Sequence, residues 1–360
     1  MVACPPDFRQ VLEKGIGRFY LDSLKVGLKN PRFLLMALSI LLNQRAAAGR
    51  RSRIGRSGIC VPPFMIVSIT GRCNLGCKGC YSKILHRDHE EEVPRDRIAS
   101  LFGEAEKLGI ATVLLAGGEP LLRQDILELT AAFPRLLFVV FTNGTLIDER
   151  FLAICKRKRN LIPVISIEGD RGFTDLRRGE GVYAKATESI GNFRARGIFC
   201  GISLTVTRKN IATIAARKFV DQLRSAGCRL FFFVDYVPVE PGSGELSPGA
   251  DERRMLSAAV THFRASTDAL FISFPGDEEQ FGGCLAAGRG FIHVNPWGDL
   301  EACPLAPFSD VNITETGLQE GLASPLLQRI RENPHLLEET VGGCALFAKR
   351  EMLGAIIEKP

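Results

Sequence analysis

Three cysteines lie close together in this 360-residue chain, in the spacing C-x3-C-x2-C. Cys73, Cys77 and Cys80 directly follow an apolar, β-branched run at residues 64–69. Thiolates are soft, charged ligands that iron and zinc bind strongly, so this group would be costly to keep for packing alone. Three thiolates can hold three irons of a four-iron cluster and leave the fourth iron without a protein ligand. The spacing therefore predicts an iron–sulfur site with one open iron; a zinc loop or a chance grouping is the alternative.

This spacing differs from the C-x2-C-x2-C of ferredoxins and from the paired C-x2-C of zinc ribbons. It is similar to the signature of the radical S-adenosylmethionine (AdoMet) superfamily. The resemblance implies that AdoMet chelates the open iron of a 4Fe-4S cluster and is cleaved reductively to methionine and a 5'-deoxyadenosyl radical. The chain departs from the family at Gly79, where relatives usually carry an aromatic residue. Tyr81 follows the third cysteine instead and is a candidate cofactor-binding residue.

Composition narrows the class of protein. With 46% hydrophobic residues, the chain can bury the core of one barrel-sized domain with attachments. Eleven cysteines without a cleavable signal peptide favour a reducing cytoplasm. The net charge of +6 is concentrated at one end, because residues 1–60 carry eleven Lys and Arg against three acidic residues. A chain-wide nucleic-acid surface is therefore not expected.

The basic N-terminal segment contains an apolar run at residues 33–42, followed by Arg45, Arg50, Arg51 and further arginines. A ten-residue helix is about 15 Å long and cannot span a hydrocarbon core of about 30 Å. Residues 30–56 could instead contact an anionic membrane surface peripherally. The alternative is a helix packed on the outside of the barrel, with solvated arginines in a loop. We therefore expect a cytoplasmic protein, with the inner face of the membrane as a further location.

Strand-like and helix-like stretches alternate from residue 64 to residue 236, in six β-α repeats with buried-type strands. This pattern predicts an α/β fold with a parallel sheet and functional residues beyond the carboxyl ends of the strands. It matches the partial (β/α)6 barrel that the family resemblance implies. We expect three parts: a basic helical extension at 1–60, the barrel at 61–275, and a small C-terminal cluster-binding domain with a β-hairpin at 276–360.

A Gly-Gly-Glu-Pro run follows the second predicted strand, at Gly117, Gly118, Glu119 and Pro120. Two glycines let a backbone approach a ligand closely, and the glutamate adds a hydrogen-bond acceptor. Turns of this composition are common. After the second strand of a chain with the cysteine loop, however, the run resembles the family motif that hydrogen-bonds the AdoMet amino group.

Short polar residues also follow the third and fourth strands. Thr142 and Asn143 end the third, and Ser166 and Glu168 end the fourth, where groups that orient a polar ligand usually lie. The resemblance implies that Ser166 and Glu168 reach the AdoMet ribose or carboxylate. A plain turn and helix cap is the alternative interpretation for Thr142 and Asn143.

Two arginines follow on the next loop, in an Asp-x-x-Arg-Gly stretch that resembles relatives with auxiliary clusters. A guanidinium near the AdoMet carboxylate would use its bidentate fork. Arg178 is the candidate in the motif, but the sequence does not decide between it and Arg177. A surface pair with Asp175 is the alternative.

The C-terminal segment holds a second group of cysteines. Cys284 and Cys303 flank a predicted β-hairpin with Gly298 in its turn, and Cys344 offers a third thiolate. The pattern resembles the C-x9-15-G-x4-C of SPASM or twitch domains and implies one auxiliary 4Fe-4S cluster. The further cysteines of the full SPASM pattern are missing. An open iron there could bind substrate, or His293 could close it; as a lone histidine on a predicted strand, His293 is interpreted as structural.

Together these motifs predict a radical AdoMet enzyme, an oxidoreductase or transferase that abstracts hydrogen from an unactivated C-H bond. A low-potential donor such as flavodoxin or ferredoxin would reduce the cluster. The substrate could be a membrane lipid or isoprenoid, a different small molecule such as a cofactor precursor, or a ribosomal peptide. The sequence identifies no catalytic residue. The alternative is an iron–sulfur electron-transfer or metal-dependent binding protein that does not turn over AdoMet. The intact Gly-Gly-Glu-Pro run argues against it, because an electron carrier needs no such pocket.

Overall fold

A computed structural model describes residues 6–29, 31–85, 91–157, 160–338 and 344–357. Its strands form one sheet in the order β7-β6-β5-β4-β3-β2-β1-β8-β9. All pairings among strands β1 to β8 are parallel. The pairing of β8 with β9 is antiparallel. The predicted α/β class with a parallel sheet is confirmed. The strands are β1 Phe64–Ser68, β2 Thr112–Ala116, β3 Leu137–Thr142, β4 Leu161–Ile167, β5 Cys200–Val206, β6 Cys228–Asp235, β7 Leu270–Phe274, β8 Phe291–Val294 and β9 Leu300–Glu301.

Helices cover both faces of this sheet. Alternate strand residues point to opposite faces, and one face packs against the helices that connect the strands, through Phe102, Phe151 and Phe193. The helices are α1 Pro6–Leu28, α2 Pro31–Gly55, α3 Tyr81–Leu85, α4 Arg95–Leu108, α5 Gln124–Leu129, α6 Glu149–Arg157, α7 Arg171–Arg178, α8 Val182–Ala195, α9 Ile211–Ile214, α10 Arg217–Ala226, α11 Ala250–Ser266, α12 Leu318–Leu322, α13 Pro325–Glu332, α14 Pro334–Leu337, α15 Ala345–Ala348 and α16 Arg350–Ile357.

The two N-terminal helices cover the opposite, concave face of the sheet. Tyr20 of α1 and Leu41 of α2 pack with Leu137 and Val139, which alternate with the outward-facing residues of β3. The alternative interpretation, in which this segment packs on the outside of the barrel, is therefore wrong. Among the described residues, no helix combines the length and apolar character needed to cross a bilayer.

The arginines of this segment also differ from the expected solvated loop. Arg45, Arg50, Arg51 and Arg53 belong to α2, which continues to residue 55 because the stretch is rich in alanine, a strong helix former. Arg51 is only 2% exposed: its guanidinium pairs with the Glu13 carboxylate at 2.7 Å and donates to the Gly109 carbonyl at 2.5 Å. Arg51 therefore ties α1 to α2 and to the end of α4 and cannot face a membrane.

The C-terminal hairpin continues the barrel sheet. Strand β8 pairs in parallel with β1, with Phe64 opposite Phe291 and Val67 opposite Val294. Strand β7, which the six-repeat pattern did not predict, extends the other edge of the sheet beyond β6. The hairpin flanked by Cys284 and Cys303 thus lies beside the strand that leads into the first cysteine loop.

Candidate active site

The first cysteine loop leaves the carboxyl end of β1. Cys73, Cys77 and Cys80 are all half-buried thiols in this loop. Burial raises the pKa of both Cys73 and Cys77, while the guanidinium groups of Arg178 and Arg177 oppose that rise at Cys77. A metal cation would supply the positive charge that stabilises thiolates in such surroundings. The donor set and its position fit an iron–sulfur cluster.

A carboxylate holds the start of this loop. Glu92 accepts hydrogen bonds from the Thr70 hydroxyl at 2.6 Å and from the Gly71 amide at 3.0 Å. Arg123 donates to Glu92 and to the Ile69 carbonyl, both at 3.3 Å. Sequence reasoning missed Glu92 and Arg123, because no local motif marks them and only the folded chain brings them to the loop.

The two glycines of the Gly-Gly-Glu-Pro run contact the cysteine loop itself. The Gly118 amide donates to the Thr70 carbonyl at 2.8 Å, and the Glu119 amide donates to the Arg72 carbonyl at 2.9 Å. A Cβ at Gly117 would overlap the Thr70 carbonyl oxygen, and one at Gly118 would overlap that of Arg72. Gly117 also has a φ of +120°, which side chains rarely adopt. In this structure the close approach that needs glycine is to the backbone of the loop.

Glu119 joins the ends of two strands. Its carboxylate is 1% exposed and accepts from the Thr142 hydroxyl at 2.7 Å, the Asn143 amide at 2.8 Å and the Leu121 amide at 3.1 Å. Burial raises the pKa of Glu119, and these hydrogen bonds oppose the rise. Pro120 begins the short 3-10 turn that the carboxylate caps. The structure thus brings Glu119, Thr142 and Asn143 into direct contact.

Glu168 lies at the end of β4 with both candidate arginines. Its Oε1 contacts Arg177 Nη1 at 2.6 Å and Arg178 Nη2 at 2.7 Å. Arg177 Nε also donates to the carbonyl of Lys78 in the cysteine loop at 3.1 Å. The buried Oε2 of Glu168 has no hydrogen-bond partner in the part of the chain that the structure describes. Ser166 is half-buried on the same strand. Glu168 Oε2 is thus an acceptor that a ligand hydroxyl or amine could use.

Two tyrosines explain the unusual sequence around the third cysteine. A Cβ at Gly79 would lie 2.6 Å from the hydroxyl oxygen of Tyr236, and Gly79 has a φ of +63°. The ring of Tyr236, after β6, therefore occupies the space beside Gly79. Burial raises the pKa of Tyr81, and the nearby thiols Cys80 and Cys303 add to the rise. Tyr81 is therefore close to one cysteine of each group.

The structure brings the C-terminal cysteines together. Cys284 and Cys303 are buried, and Cys344 is half-buried at the start of α15. A hydrogen bond with Cys344 is the main cause that raises the pKa of Cys303, with burial and the charges of Cys344 and Cys284 adding to it. Within the described ranges, no three His, Cys, Asp or Glu side chains converge to hold a single metal ion. A four-iron cluster takes each thiolate at a separate corner, so these trios fit that group by their donors.

His293 is held between two buried side chains at the seam of β1, β8 and β9. Its Nδ1 lies 2.6 Å from Glu301 Oε2, and its Nε2 lies 2.8 Å from the Ser68 hydroxyl. Asn295 donates to the other oxygen of Glu301 at 2.9 Å. Both ring nitrogens are engaged, so the structure favours the structural interpretation of His293 over a ligand to the auxiliary cluster.

Fold and site together define a class: a parallel α/β barrel with a three-cysteine loop beyond its first strand. A family model described as the Radical SAM superfamily matches residues 67–229. The Fe-coproporphyrin III synthase of Methanosarcina barkeri is 32% identical over 158 residues, which are 43% of this chain and only 39% of that protein. The pre-heme d1 synthase of Dinoroseobacter shibae is 25% identical over 324 residues, with 79% of each chain covered.

Solved structures support the fold. SuiB of Streptococcus suis bound to S-adenosylmethionine matches with a TM-score of 0.66 at 20% identity, covering 86% of this chain and 78% of that one. SuiB has also been solved with its precursor peptide SuiA. Residues 67–229 of this chain therefore belong to the radical SAM superfamily of enzymes. Membership implies a 4Fe-4S cluster and AdoMet.

Proposed function

We propose that the enzyme abstracts hydrogen from an unactivated C-H bond, with Cys73, Cys77 and Cys80 holding the catalytic 4Fe-4S cluster. When bound, AdoMet at the reduced cluster supplies methionine and a 5'-deoxyadenosyl radical. The observation that carries the proposal is the buried, unpartnered Oε2 of Glu168 among the described residues, beside a loop of three thiols. An electron carrier would have no use for such an acceptor.

The residues around the loop divide into supporting and binding groups. Gly117 packs against the cysteine loop, and the backbone amides of Gly118 and Glu119 donate to it, while the Glu119 carboxylate holds the turn after β3. Ser166 and Glu168 would receive the ribose or amino acid part of AdoMet, since both lie at the carboxyl end of β4. The remaining candidates for this pocket are Tyr81, Pro120, Thr142, Asn143 and Arg178.

The second cysteine group supports an auxiliary 4Fe-4S cluster in the segment 276–360. Cys284, Cys303 and Cys344 would hold it, and Tyr81, which interacts with Cys80 and Cys303, would lie close to both clusters. A low-potential donor such as flavodoxin or ferredoxin would supply electrons, in the cytoplasm. The names of the relatives point to two classes of substrate, a heme precursor and a precursor peptide.

Anaerobic reconstitution followed by an assay for dithionite-dependent 5'-deoxyadenosine tests this proposal. Wild-type protein should form it, and Cys77→Ala should not, because one iron loses its ligand. Cys155→Ala is the matched control, since Cys155 is a buried core thiol on α6, far from the loop in the sequence. Full iron loading without any 5'-deoxyadenosine would favour the electron-transfer alternative.

A further inference from the structure

A cavity of about 330 Å³ lies between the N-terminal helices and the concave face of the sheet. Its floor consists of strand residues such as Leu114, Val139 and Ile162, and its roof includes Ile16 and Ala37 from α1 and α2. These strand residues lie in the first half or the middle of β2, β3 and β4, whereas the cysteine loop leaves the carboxyl end of β1. None of the residues assigned above to either cluster or to AdoMet lines the cavity.

The size and lining of the cavity suit a hydrocarbon chain. Most lining side chains are aliphatic or aromatic, including Phe19, Phe33, Phe199 and Phe232. At about 30 Å³ per water-sized volume, the space is equivalent to about eleven waters. An apolar space of this size binds apolar molecules better than it binds water.

One polar group in the cavity wall lacks a partner. Gln44 is 6% exposed, and its Nε2 donates to the Tyr20 hydroxyl and the Thr112 hydroxyl, both at 2.9 Å. Its Oε1 is buried and has no hydrogen-bond partner in the described ranges of the chain. Gln44, Tyr20 and Thr112 all line the cavity. An unpaired buried amide oxygen is unfavourable, and a ligand that donates one hydrogen bond would relieve it.

We propose that this cavity binds the chain of a long-chain alcohol, with its hydroxyl donating to Gln44 Oε1. The apolar lining selects the hydrocarbon, and the unpaired amide oxygen selects a hydroxyl over an ether or an ester. A linear fatty alcohol and an isoprenoid alcohol share this chemistry. The inference goes beyond the proposed function and does not depend on it, because the binding site is separate from the cysteine loops.

Isothermal titration calorimetry of the full chain tests the proposal with decan-1-ol and with geraniol, each of about eleven non-hydrogen atoms. The third probe is decyl methyl ether, which lacks the hydroxyl donor. At least one alcohol should bind, and the ether should bind roughly fivefold more weakly than decan-1-ol, since it leaves Oε1 unpaired. The tighter of the two alcohols identifies a linear or an isoprenoid chain.

Three variants separate the apolar and polar parts of the site. Gln44→Leu should bind decan-1-ol and its ether equally, and Ala37→Phe should weaken all three probes by filling the cavity. Leu42→Phe lies on the exposed side of α2 and should change nothing. Circular dichroism checks that each variant folds. The proposal fails if folded wild-type protein binds neither alcohol, or if it binds the ether as tightly as decan-1-ol. The 5'-deoxyadenosine assay on the same samples reports separately on the proposed function.

Discussion

At the scale of single residues, two adjacent arginines that the sequence could not tell apart make different contacts. Both pair with Glu168 Oε1, but Arg177 also donates to the Lys78 carbonyl at 3.1 Å and to the Thr205 hydroxyl at 2.9 Å. Burial lowers the pKa of Arg177, but the charge of Glu168, the hydrogen bond to it and the charges of Cys77 and Cys80 together raise that pKa above its ordinary value. Arg177 therefore links the cysteine loop to β4 and β5, while Arg178 contacts the carboxylate alone among the side-chain bonds described.

Replacing Arg177 by lysine should loosen the cysteine loop. A lysine cannot reach all three acceptors with one ammonium group, so at least one charge-assisted hydrogen bond is lost, at a cost of about 2 kcal/mol. We expect a lower free energy of unfolding and less iron per chain after reconstitution. Arg178→Lys is the matched control and should keep the loop contact. Equal losses of iron in both variants would contradict the conclusion that Arg177, and not Arg178, holds the cysteine loop.

Asp235, at the end of β6, should make stability depend on pH. Burial raises the pKa of Asp235 to about 6, and Arg253, which donates to it at 2.9 Å, only partly opposes the rise. The folded state therefore holds this proton more tightly than the unfolded state, whose pKa is about 3.9. The stabilisation is fully present below about pH 4 and is lost as pH rises through 6, at most about 3 kcal/mol.

Asp235→Asn should remove this part of the pH dependence. Chemical denaturation of the two proteins between pH 4 and 7 measures it, since other titrating groups contribute equally to both. The free energy of unfolding of wild type, relative to the variant, should fall as pH rises through 6. If the difference in free energy of unfolding between the two proteins stays constant across that range, the pKa of Asp235 is not raised by folding.

At the scale of elements, the turn after β2 and the loop after β1 form one unit. Gly118 and Glu119 donate backbone hydrogen bonds into the cysteine loop, and Asn143 Nδ2 after β3 donates to Asn74 Oδ1 of the same loop at 2.9 Å. The geometry of the cysteines therefore depends on turns that follow two other strands. A change in those turns should act on the cluster without touching a cysteine.

Gly118→Ala tests this coupling. The added Cβ would overlap the Arg72 carbonyl oxygen, so the turn and the loop must separate. We expect most of the iron of the first cluster to be lost, measured as iron and sulfide per chain. Gly76→Ala is the control, because Gly76 lies within the cysteine loop and a Cβ there has nothing within 4 Å. Retained iron in Gly118→Ala would mean that the turn does not shape the loop.

Many of the strands, and several of the polar residues that follow them, could be predicted from the sequence. Runs of apolar and β-branched residues located β1 to β6, and polar residues after them marked Glu119, Thr142 and Glu168. Such patterns show which faces of an element are apolar but not what covers them. For that reason the position of α1 and α2 on the concave face was not predicted. Glu92 lies in a stretch without a motif, so nothing local indicated that it holds the cysteine loop.

At the scale of the whole molecule, one sheet carries both cysteine groups. Strand β8 pairs with β1, so the hairpin between Cys284 and Cys303 lies beside the strand that leads to Cys73. The two clusters would thus share a rigid scaffold. Pairing between strands more than 200 positions apart depends on which edge of the sheet the C-terminal hairpin reaches, and local sequence patterns do not encode that.

Removing one auxiliary thiol should affect one cluster. Cys303→Ala leaves Cys284 and Cys344 without their central partner, so iron per chain should fall from about eight to about four. Dithionite-dependent 5'-deoxyadenosine should persist, because the first loop is intact. Iron analysis with the same assay measures both quantities. Unchanged iron content would contradict an auxiliary cluster at these cysteines.

Cys73, Cys77 and Cys80 should bind three irons of the first cluster and leave the fourth iron to a small-molecule ligand. Mössbauer spectroscopy of ⁵⁷Fe-reconstituted Cys303→Ala protein, recorded with and without AdoMet, tests it most directly, because the second cluster is then absent. AdoMet should change the isomer shift of about one iron in four and leave the shifts of the other irons unchanged. Identical spectra with and without AdoMet, at full iron loading, would contradict it.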